Sequence, residues 1–592
     1  MPLPYGPKLP MKWPPRREQK DLHEVRGDSD LYQDRANEHY QTRVKDSLHP
    51  PMIANHSTST LELVRAYHER TKHHFDRYAS GPDFLDWEQQ PNPFRQFESA
   101  PQIKLPLEFE KLPEPGLNSL SKLQPQLAIK DWGLTEISSL LRFSMGLAAW
   151  KVYGPDRWSL RCNPSSGNLH PTETYLLVSG LKSLKDGVYH YAPYPHALEL
   201  RGETGSAVQS QPQILLAFSS IAWREAWKYG ERAYRYVQLD IGHAIGALAY
   251  SAAALGCCLQ RLPVSRGELA KLLGLDRQED FKDAEDEYPD LIFRLQEQPD
   301  PTADSSRADE IELPTTSQWH GNANRLSQQP SHHWPLIDEL EQPLMACPPC
   351  RQAPLEESIP APASVPDQPI HQIILQRRSA QAFNGKSILQ QSHFYQILDH
   401  CLPRAIEQPW KSWPYQPRIH LLLFVHRVEG LSPGLYLLPR SQQALPWLKQ
   451  NLDEDFSWQA IEACPAHIPL HQLVSTEVKK AARALSCHQD IAASSFFSLG
   501  MLAEFDTALQ ASGPLAYPEL FWEAGLIGQV LYLQAEAHGV RGTGIGCFFD
   551  DAVHQIAGVK DSGLQSLYHF TVGEAKPDNR LQTLPAYHHL GR

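Results

Sequence analysis

The sequence lacks the features that mark membrane, secreted and nucleic-acid-binding proteins. Its formal net charge is −13 and it has no basic stripe, which argues against a nucleic-acid or anionic-membrane partner. Residues 1–15 are rich in proline and hold no apolar segment, so a signal peptide is not predicted. The nine cysteines are scattered, as is typical of proteins of the reducing cytoplasm. We therefore expect a cytoplasmic protein that binds neither membrane nor nucleic acid.

A metal centre is not indicated either. Cys347 and Cys350 form the one CxxC pattern, and both intervening residues are proline. A zinc site needs a second ligand pair at suitable spacing, and none is near. We interpret the pair as linker cysteines, although a redox role stays open, and we predict no metal.

The length and the distribution of proline predict two large domains. A chain of 592 residues is too long for one hydrophobic core. Residues 1–55 are polar and aperiodic, which is typical of an extended or disordered arm. Residues 276–368 contain acidic runs and Ser/Gln/Pro clusters, which indicate a linker. The remaining stretches, 56–275 and 369–592, are the predicted domains.

The two predicted domains resemble one another. Residues 68–71 match residues 376–379 in type, and Gly187-Val188-Tyr189 and Gly434-Leu435-Tyr436 each follow an apolar run. Late in each copy comes a long, almost wholly apolar helix, on which Asp240 falls opposite Glu523. Such a helix must be buried on most faces, so we expect the pair to form the seam between the domains. The pattern in each copy predicts an α+β fold with a mainly antiparallel sheet.

Three clusters could bind a ligand. Arg377 and Arg378 place two guanidinium groups beside the hydroxyl of Ser379, at what we take to be the start of a helix, and this suits a phosphate dianion. Residues 163–171 (NPSSGNLHP) form a loop of small polar residues that a ligand can approach closely. Residues 542–548 (GTGIGCF) could lay backbone N–H groups against a flat aromatic ring, since the GxGxxG pattern of a dinucleotide fold is absent.

At these residues the sequence resembles the FMN-dependent nitroreductase superfamily and, within it, the SagB/ThcOx-type dehydrogenases. The likeness also covers YHERTKHHFDRYA, WKYGERAYRY with LDIGHA, EAGLIGQVLYLQAEAHG with GIGCFFDD, and the terminal TLPAYHHL. It extends over all but the N-terminal arm. It implies two fused nitroreductase-like domains that form an intrachain pseudo-dimer; whether this unit associates further stays open.

The resemblance implies where FMN binds, because family members bind it at a dimer interface with residues from both subunits. One FMN site is expected, with these cofactor-binding residues: Arg377, Arg378, Ser379, Pro164, Ser165, Ser166, Asn168, Gly544, Ile545, Gly546, Cys547 and Arg580. The opposite site would combine residues 69–71, 258–261 and 413–417. It replaces one arginine with Glu69 and lacks the glycines, so we expect it to be empty.

The resemblance also implies an enzyme, with Lys228 and Tyr229 as the catalytic pair. A buried lysine helped by a phenol could remove a proton while hydride leaves the substrate. Asp240 and Glu523 are interpreted as structural hydrogen-bond acceptors. The expected activity is a dehydrogenase of azoline-like or peptide-derived substrates. Two alternatives stay open: a nitro or quinone reductase that takes electrons from NAD(P)H, and a flavin-binding scaffold without turnover.

Overall fold

The computed structural model describes residues 59–109, 112–205, 212–298, 313, 315–328, 333–356 and 358–591. The arm predicted for residues 1–55 lies outside these residues. In the described part, helices flank two large antiparallel sheets. A three-stranded sheet joins the two halves of the chain, and a two-stranded sheet lies in the first half.

Helices and strands alternate in both halves. The first half contains α1 (Thr60–Arg70), β1 (Phe97–Glu98), β2 (Gln102–Lys104), α2 (Leu134–Arg142), β3 (Leu147–Tyr153), β4 (Asp156–Arg161), β5 (Thr172–Ser179), β6 (Gly187–Ala192), β7 (Ala197–Thr204), β8 (Gln213–Ser220), α3 (Trp223–Tyr229), α4 (Ala233–Ala254), β9 (Cys257–Arg261), α5 (Arg266–Leu273), β10 (Tyr288–Glu297), β11 (Thr316–Trp319), β12 (Asn322–Ala323) and α6 (Pro335–Met345). The second half contains α7 (Ile370–Gln376), α8 (Gln391–His400), β13 (Ile419–Val425), β14 (Gly434–Leu438), α9 (Leu445–Asn451), β15 (Gln459–Ala460), β16 (His471–Ser475), α10 (Lys479–Leu485), α11 (Asp490–Ser494), β17 (Phe497–Glu504), α12 (Phe505–Ser512), α13 (Ala516–Ala537), β18 (Arg541–Ile545), α14 (Asp550–Ala557), β19 (Leu564–Gly573) and β20 (Gln582–Pro585).

The two large sheets share one topology. The first runs β11-β7-β6-β5-β8-β10-β9 and the second runs β15-β16-β14-β13-β17-β19-β18. Six consecutive strands of one therefore correspond to six of the other in chain order and position. This agreement confirms the predicted α+β fold with two similar domains.

The long helices α4 and α13 form the seam, as their composition predicts. Each has 22 residues, and every one of them is buried. They touch where Gly242 meets Gly525, and a Cβ added at Gly525 would lie 2.2 Å from the Leu239 carbonyl oxygen. Glycine is required there because the two backbones are in contact. Within the described residues, no helix is both long and apolar enough to cross a membrane.

The first domain extends further along the chain than predicted. Strand β10 is the next-to-last strand of the first sheet, paired with β8 and β9, although it falls in the predicted linker 276–368. Its counterpart in the second half is β19. The residues of β10 do not alternate, because the first six are all buried. A domain boundary at residue 275 would remove this interior strand from its sheet.

The match between residues 68–71 and 376–379 does not reflect equivalent positions. Helix α1 packs at the N-terminal ends of the seam helices, where His68 Nδ1 lies 3.3 Å from the Tyr517 hydroxyl. Helix α7 packs near the C-terminal half of α13, where Ser379 Oγ lies 2.8 Å from the Tyr532 hydroxyl. Fifteen residues of helix, about 22 Å, separate these two tyrosines. Similar short sequences therefore occupy different ends of the seam.

The C-terminal segment ties the second half to the first. Strand β20 pairs with β3, and the Trp150 indole N–H donates to the Ala586 carbonyl at 2.8 Å. Strand β3 carries Lys151, so this pairing holds a first-half cation beside second-half residues.

Candidate functional site

The loop of residues 163–171 is fixed to the seam through Asp240. The backbone N–H and the hydroxyl of Ser166 both donate to Asp240 Oδ1, at 3.0 and 3.1 Å. The Ser165 hydroxyl in turn accepts the His170 N–H at 2.8 Å. Burial raises the pKa of Asp240 to about 7, against the opposing effect of these serine donors. The carboxyl group thus positions the loop.

The backbone of this loop is tightly turned. Gly167, Asn168 and His170 all have positive φ, at 58°, 60° and 54°. The Asn168 amide holds this shape by donating to the Ser159 carbonyl at 2.9 Å, while Pro164 is buried at the base of the loop. Non-glycine residues rarely adopt this conformation, and where they do they often mark functional sites.

Matching geometry on the other seam helix supports a structural role for Glu523. Its carboxylate accepts the N–H groups of Arg418 and Ile419, at 3.0 and 3.3 Å. Asp240 and Glu523 therefore have the same structural role. Each accepts hydrogen bonds from the segment that leads into a central strand, β5 for Asp240 and β13 for Glu523.

The glycine-rich segment is an edge strand followed by a turn. Strand β18 ends the second sheet and contains Gly544 and the buried Ile545. A Cβ at Gly544 would lie 1.8 Å from the Tyr568 hydroxyl, and one at Gly546 would lie 2.3 Å from the Tyr236 ring. The glycines therefore let two aromatic side chains approach the strand.

Tyr532 joins the strand to the arginine segment. Its hydroxyl accepts the Gly544 N–H at 3.0 Å and contacts Ser379 Oγ at 2.8 Å. The Arg377 guanidinium lies over its ring, 5.1 Å from the centroid. This tyrosine was not singled out from the sequence, because one aromatic residue in an apolar helix carries no distinguishing pattern.

The two arginines follow the end of a helix, whereas the sequence led us to expect the start of one. Helix α7 ends at Gln376, and the Arg378 guanidinium donates to the Leu375 carbonyl at 2.8 Å. Cations stabilise the free carbonyls at this end, which explains the placement. Arg377 is buried and donates to the carbonyls of Cys162 and Arg161, both at 3.2 Å, so it also connects the second half to β4.

A cluster of positive charge surrounds Arg378. Burial, followed by the charge of Arg377, lowers the pKa of Arg378 to about 10. Burial also lowers the pKa of Lys151, and Arg378 and Arg541 add to that effect. Among the described residues, neither Arg377 nor Arg378 has a carboxylate within ion-pair distance. The cation cluster comprises Lys151, Arg377, Arg378 and Arg541. Arg541 pairs with Glu536, whereas the charges of the other three are uncompensated among the described residues and suit an anion. The sequence did not reveal Lys151 or Arg541.

Arg580 is placed differently from the expectation. It is exposed and forms a two-point ion pair with Asp578, at 2.9 and 2.7 Å. Its guanidinium lies 5.6 Å from the centre of the Tyr153 ring. Because its charge is already balanced, it is not part of the uncompensated cluster.

Lys228 and Tyr229 lie against the loop of residues 163–171. A Cβ at Gly167 would lie 2.7 Å from the Tyr229 hydroxyl and 3.2 Å from Lys228 Nζ. Burial lowers the pKa of Lys228, while the nearby carboxyl of Glu225 opposes that effect. Burial raises the pKa of Tyr229, which keeps the phenol protonated. The amine and the phenol therefore face the same loop in a desolvated setting.

Cys547 completes this end of the site. Its thiol lies near the phenols of Tyr229 and Tyr236, whose pKa values its negative charge would raise further. The carbonyl of Cys547 accepts a hydrogen bond from the Gln489 amide at 3.3 Å. The predicted residues thus form one continuous band along the seam, from the cation cluster to Lys228, with Arg580 as the exception.

The arginines of the expected second site already have carboxylate partners. Arg261 pairs with Glu519 and lies over the rings of Trp413 and Trp522, 5.4 Å from each centre. Arg70 forms a separate ion pair with Glu231, at 2.6 and 2.9 Å. Both arginines of the expected second site are therefore already paired with carboxylates from outside the predicted set.

Comparisons with known proteins agree with the fold. Residues 374–574 match the Nitroreductase family. A "putative nitroreductase" of Methanocaldococcus jannaschii is 28% identical over 134 residues, which are 21% of this chain; the chain spans 64% of that relative's length.

Among solved structures, a "putative nitroreductase" from Anabaena variabilis superposes with a TM-score of 0.64 at 21% identity, covering 87% of this chain and 99% of the other. A nitroreductase from Exiguobacterium sibiricum, solved in complex with FMN, is 13% identical and covers 37% of this chain and 93% of its own, with a TM-score of 0.22. The Anabaena likeness establishes the fold over both halves; the second is too weak to compare site geometry.

Proposed function

We propose that this chain, an oxidoreductase of the nitroreductase type, binds one FMN along the band between the cation cluster and Lys228. The observation that carries the proposal is the uncompensated positive charge around Arg378, which lies at one end of a band lined by glycines and aromatic rings. The second domain supplies Arg377, Arg378, Ser379 and the segment Gly544–Cys547. The first domain supplies the loop containing Pro164, Ser165, Ser166 and Asn168.

The residues of this band fit FMN in two respects. A phosphate dianion would neutralise the guanidinium groups of Arg377 and Arg378, whose mutual repulsion lowers the pKa of Arg378. Gly544 and Gly546 let the rings of Tyr568 and Tyr236 lie against the strand and the turn after it, and aromatic rings are surfaces on which a planar ring can stack. Lys151 would add charge at the phosphate end, whereas Arg541 and Arg580 are already paired with Glu536 and Asp578.

When bound, a flavin supplies two-electron chemistry, with hydride arriving at or leaving its ring. Lys228 would act as the base. Its burial favours the neutral amine, which can accept a proton from a carbon next to a heteroatom. The protonated phenol of Tyr229 can hold the substrate by donating a hydrogen bond.

This pair favours a dehydrogenase of azoline-like or peptide-derived substrates over the alternatives. A nitro or quinone reductase using NAD(P)H needs no substrate base beside its flavin. A flavin-binding scaffold without turnover would have no use for a desolvated lysine.

The first experiment measures flavin content. The purified full chain is denatured, and the released flavin is identified and counted. About one FMN per chain is expected, and Arg70→Ala should leave that ratio unchanged because Arg70 is neutralised by Glu231. Two flavins per chain, or none, would contradict the one-site proposal.

The second experiment tests the base. Lys228→Gln should retain flavin and lose about 10²- to 10⁴-fold in turnover of an azoline-containing peptide, which is the usual contribution of a general base. Lys182→Gln is the matched control, since Lys182 is exposed. Rapid NAD(P)H consumption with a nitro compound or quinone, unaffected by Lys228→Gln, would favour the reductase instead.

A further inference from the structure

Two cysteines that are far apart in sequence meet at the end of the site. Cys547 follows the glycine-rich strand, and Cys487 lies in the turn between α10 and α11. Their thiols are within hydrogen-bonding reach of each other. Both cysteines are free and partly exposed. Nothing in the sequence pairs them.

The backbone holds the two segments together on both sides of the thiols. The Phe549 N–H donates to the Leu485 carbonyl at 2.9 Å, and the Gln489 amide donates to the Cys547 carbonyl at 3.3 Å. Cys487 lies midway between these two attachment points. The thiol pair is thus built into the fold.

The turn that carries Cys487 is strained. Cys487 and His488 have φ of 51° and 58°, in the left-handed region that side chains other than glycine rarely adopt. Two such residues in succession persist only where the surroundings impose them, and they cluster at functional sites.

We propose that Cys487 and Cys547 form a redox-active dithiol that exchanges electrons with the flavin. This inference rests on the proposed FMN site. In the forward direction two S–H bonds break and one S–S bond forms; the two electrons and one proton would pass to the oxidised flavin, and the other proton to solvent. In the reverse direction the disulfide takes two electrons and two protons and returns to two thiols.

The surroundings assign different roles to the two sulfurs. The hydrogen bond from Cys487 lowers the pKa of Cys547, and the charge of Arg232 lowers it further. Burial raises the pKa of Cys487. Cys547 is therefore the sulfur that reacts as a thiolate, and Cys487 is the one that donates the hydrogen bond.

The first test maps the bond. The purified full chain is treated with diamide, free thiols are blocked, and peptides are analysed by mass spectrometry with and without dithiothreitol. We expect a reducible link between the peptides of Cys487 and Cys547, absent in Cys487→Ser. Cys347→Ser is the control, since the Cys347 and Cys350 thiols each donate to a separate carbonyl. Failure of the link to form would overturn the proposal.

The second test counts electrons. Oxidised, flavin-loaded protein is titrated anaerobically with dithionite. We expect about four electron equivalents per flavin in the wild type and about two in Cys487→Ser. Two in both proteins would overturn exchange with the flavin even if the bond forms. If the purified protein contains no flavin, the proposed function fails, whereas a disulfide found by mass spectrometry would remain valid.

Discussion

Arg378→Ala should weaken flavin binding without destabilising the protein that lacks flavin. A hydrogen bond to a charged group contributes about 1.5–3 kcal/mol. Because Lys151 and Arg541 remain beside the altered position, we expect a loss in the lower part of this range. A loss of about 1.5–2 kcal/mol corresponds to roughly a tenfold to thirtyfold increase in Kd.

The expected stability of the variant follows from two opposing effects. The variant loses the hydrogen bond from Arg378 to the Leu375 carbonyl. It also removes a buried positive charge next to Arg377, whose repulsion helps to lower the pKa of Arg378. These effects offset each other, so the Tm without flavin should change little.

The assay is quenching of FMN fluorescence on titration with flavin-free protein, together with thermal unfolding. Arg580→Ala is the control, because Arg580 is exposed and paired with Asp578; its Kd should stay within about threefold of the wild-type value. A Kd for Arg378→Ala equal to that of the control would refute the proposed phosphate position. A large fall in Tm would show that Arg378 is structural.

Two further predictions concern the seam. Gly525→Ala should lower the free energy of unfolding by about 1–3 kcal/mol or more, because its Cβ would lie 2.2 Å from a backbone oxygen that cannot move aside. Gly205→Ala is the control, since no atom lies within 4 Å of that Cβ, and its free energy of unfolding in denaturant titrations should stay within about 0.5 kcal/mol of the wild-type value. Equal effects of the two substitutions would contradict the close helix contact. Asp240→Asn should gain stability relative to the wild type as the pH rises. The pKa of Asp240 is raised from 3.8 to about 7 in the folded state, so the stability that its protonated form contributes is complete below pH 3.8 and is lost as pH rises towards 7. The difference in free energy of unfolding between Asp240→Asn and the wild type should change by a few kcal/mol at most over this range. If that difference does not vary from pH 4 to 8, Asp240 is not buried as described.

The sequence predicted the fold better than it predicted the domain boundaries. The seam helices were recognisable because a helix that is apolar on every face must be buried. Strand β10 was missed because its sheet partners, β8 and β9, are far away in sequence. The residues of a strand do not show which other strands it pairs with.

Short stretches of similar sequence predicted equivalent positions less reliably than long periodic patterns predicted burial. The likeness of residues 68–71 to 376–379 suggested equivalent helices, but α1 and α7 lie at opposite ends of the seam. A few matching residue types constrain local conformation only weakly, whereas a 22-residue apolar pattern constrains burial over its whole length.

The sequence by itself determined the two-fold repeated α+β architecture, the buried helix pair and the types of residue that could hold a phosphate and a flat ring. Only the tertiary structure decided which charges meet. It placed Lys151 and Arg541 beside Arg378, paired Arg580 with Asp578 and brought Cys487 to Cys547. The physical reason is that burial and periodicity are local properties of a segment, while electrostatic and thiol contacts depend on distances that only the packing of separate segments sets.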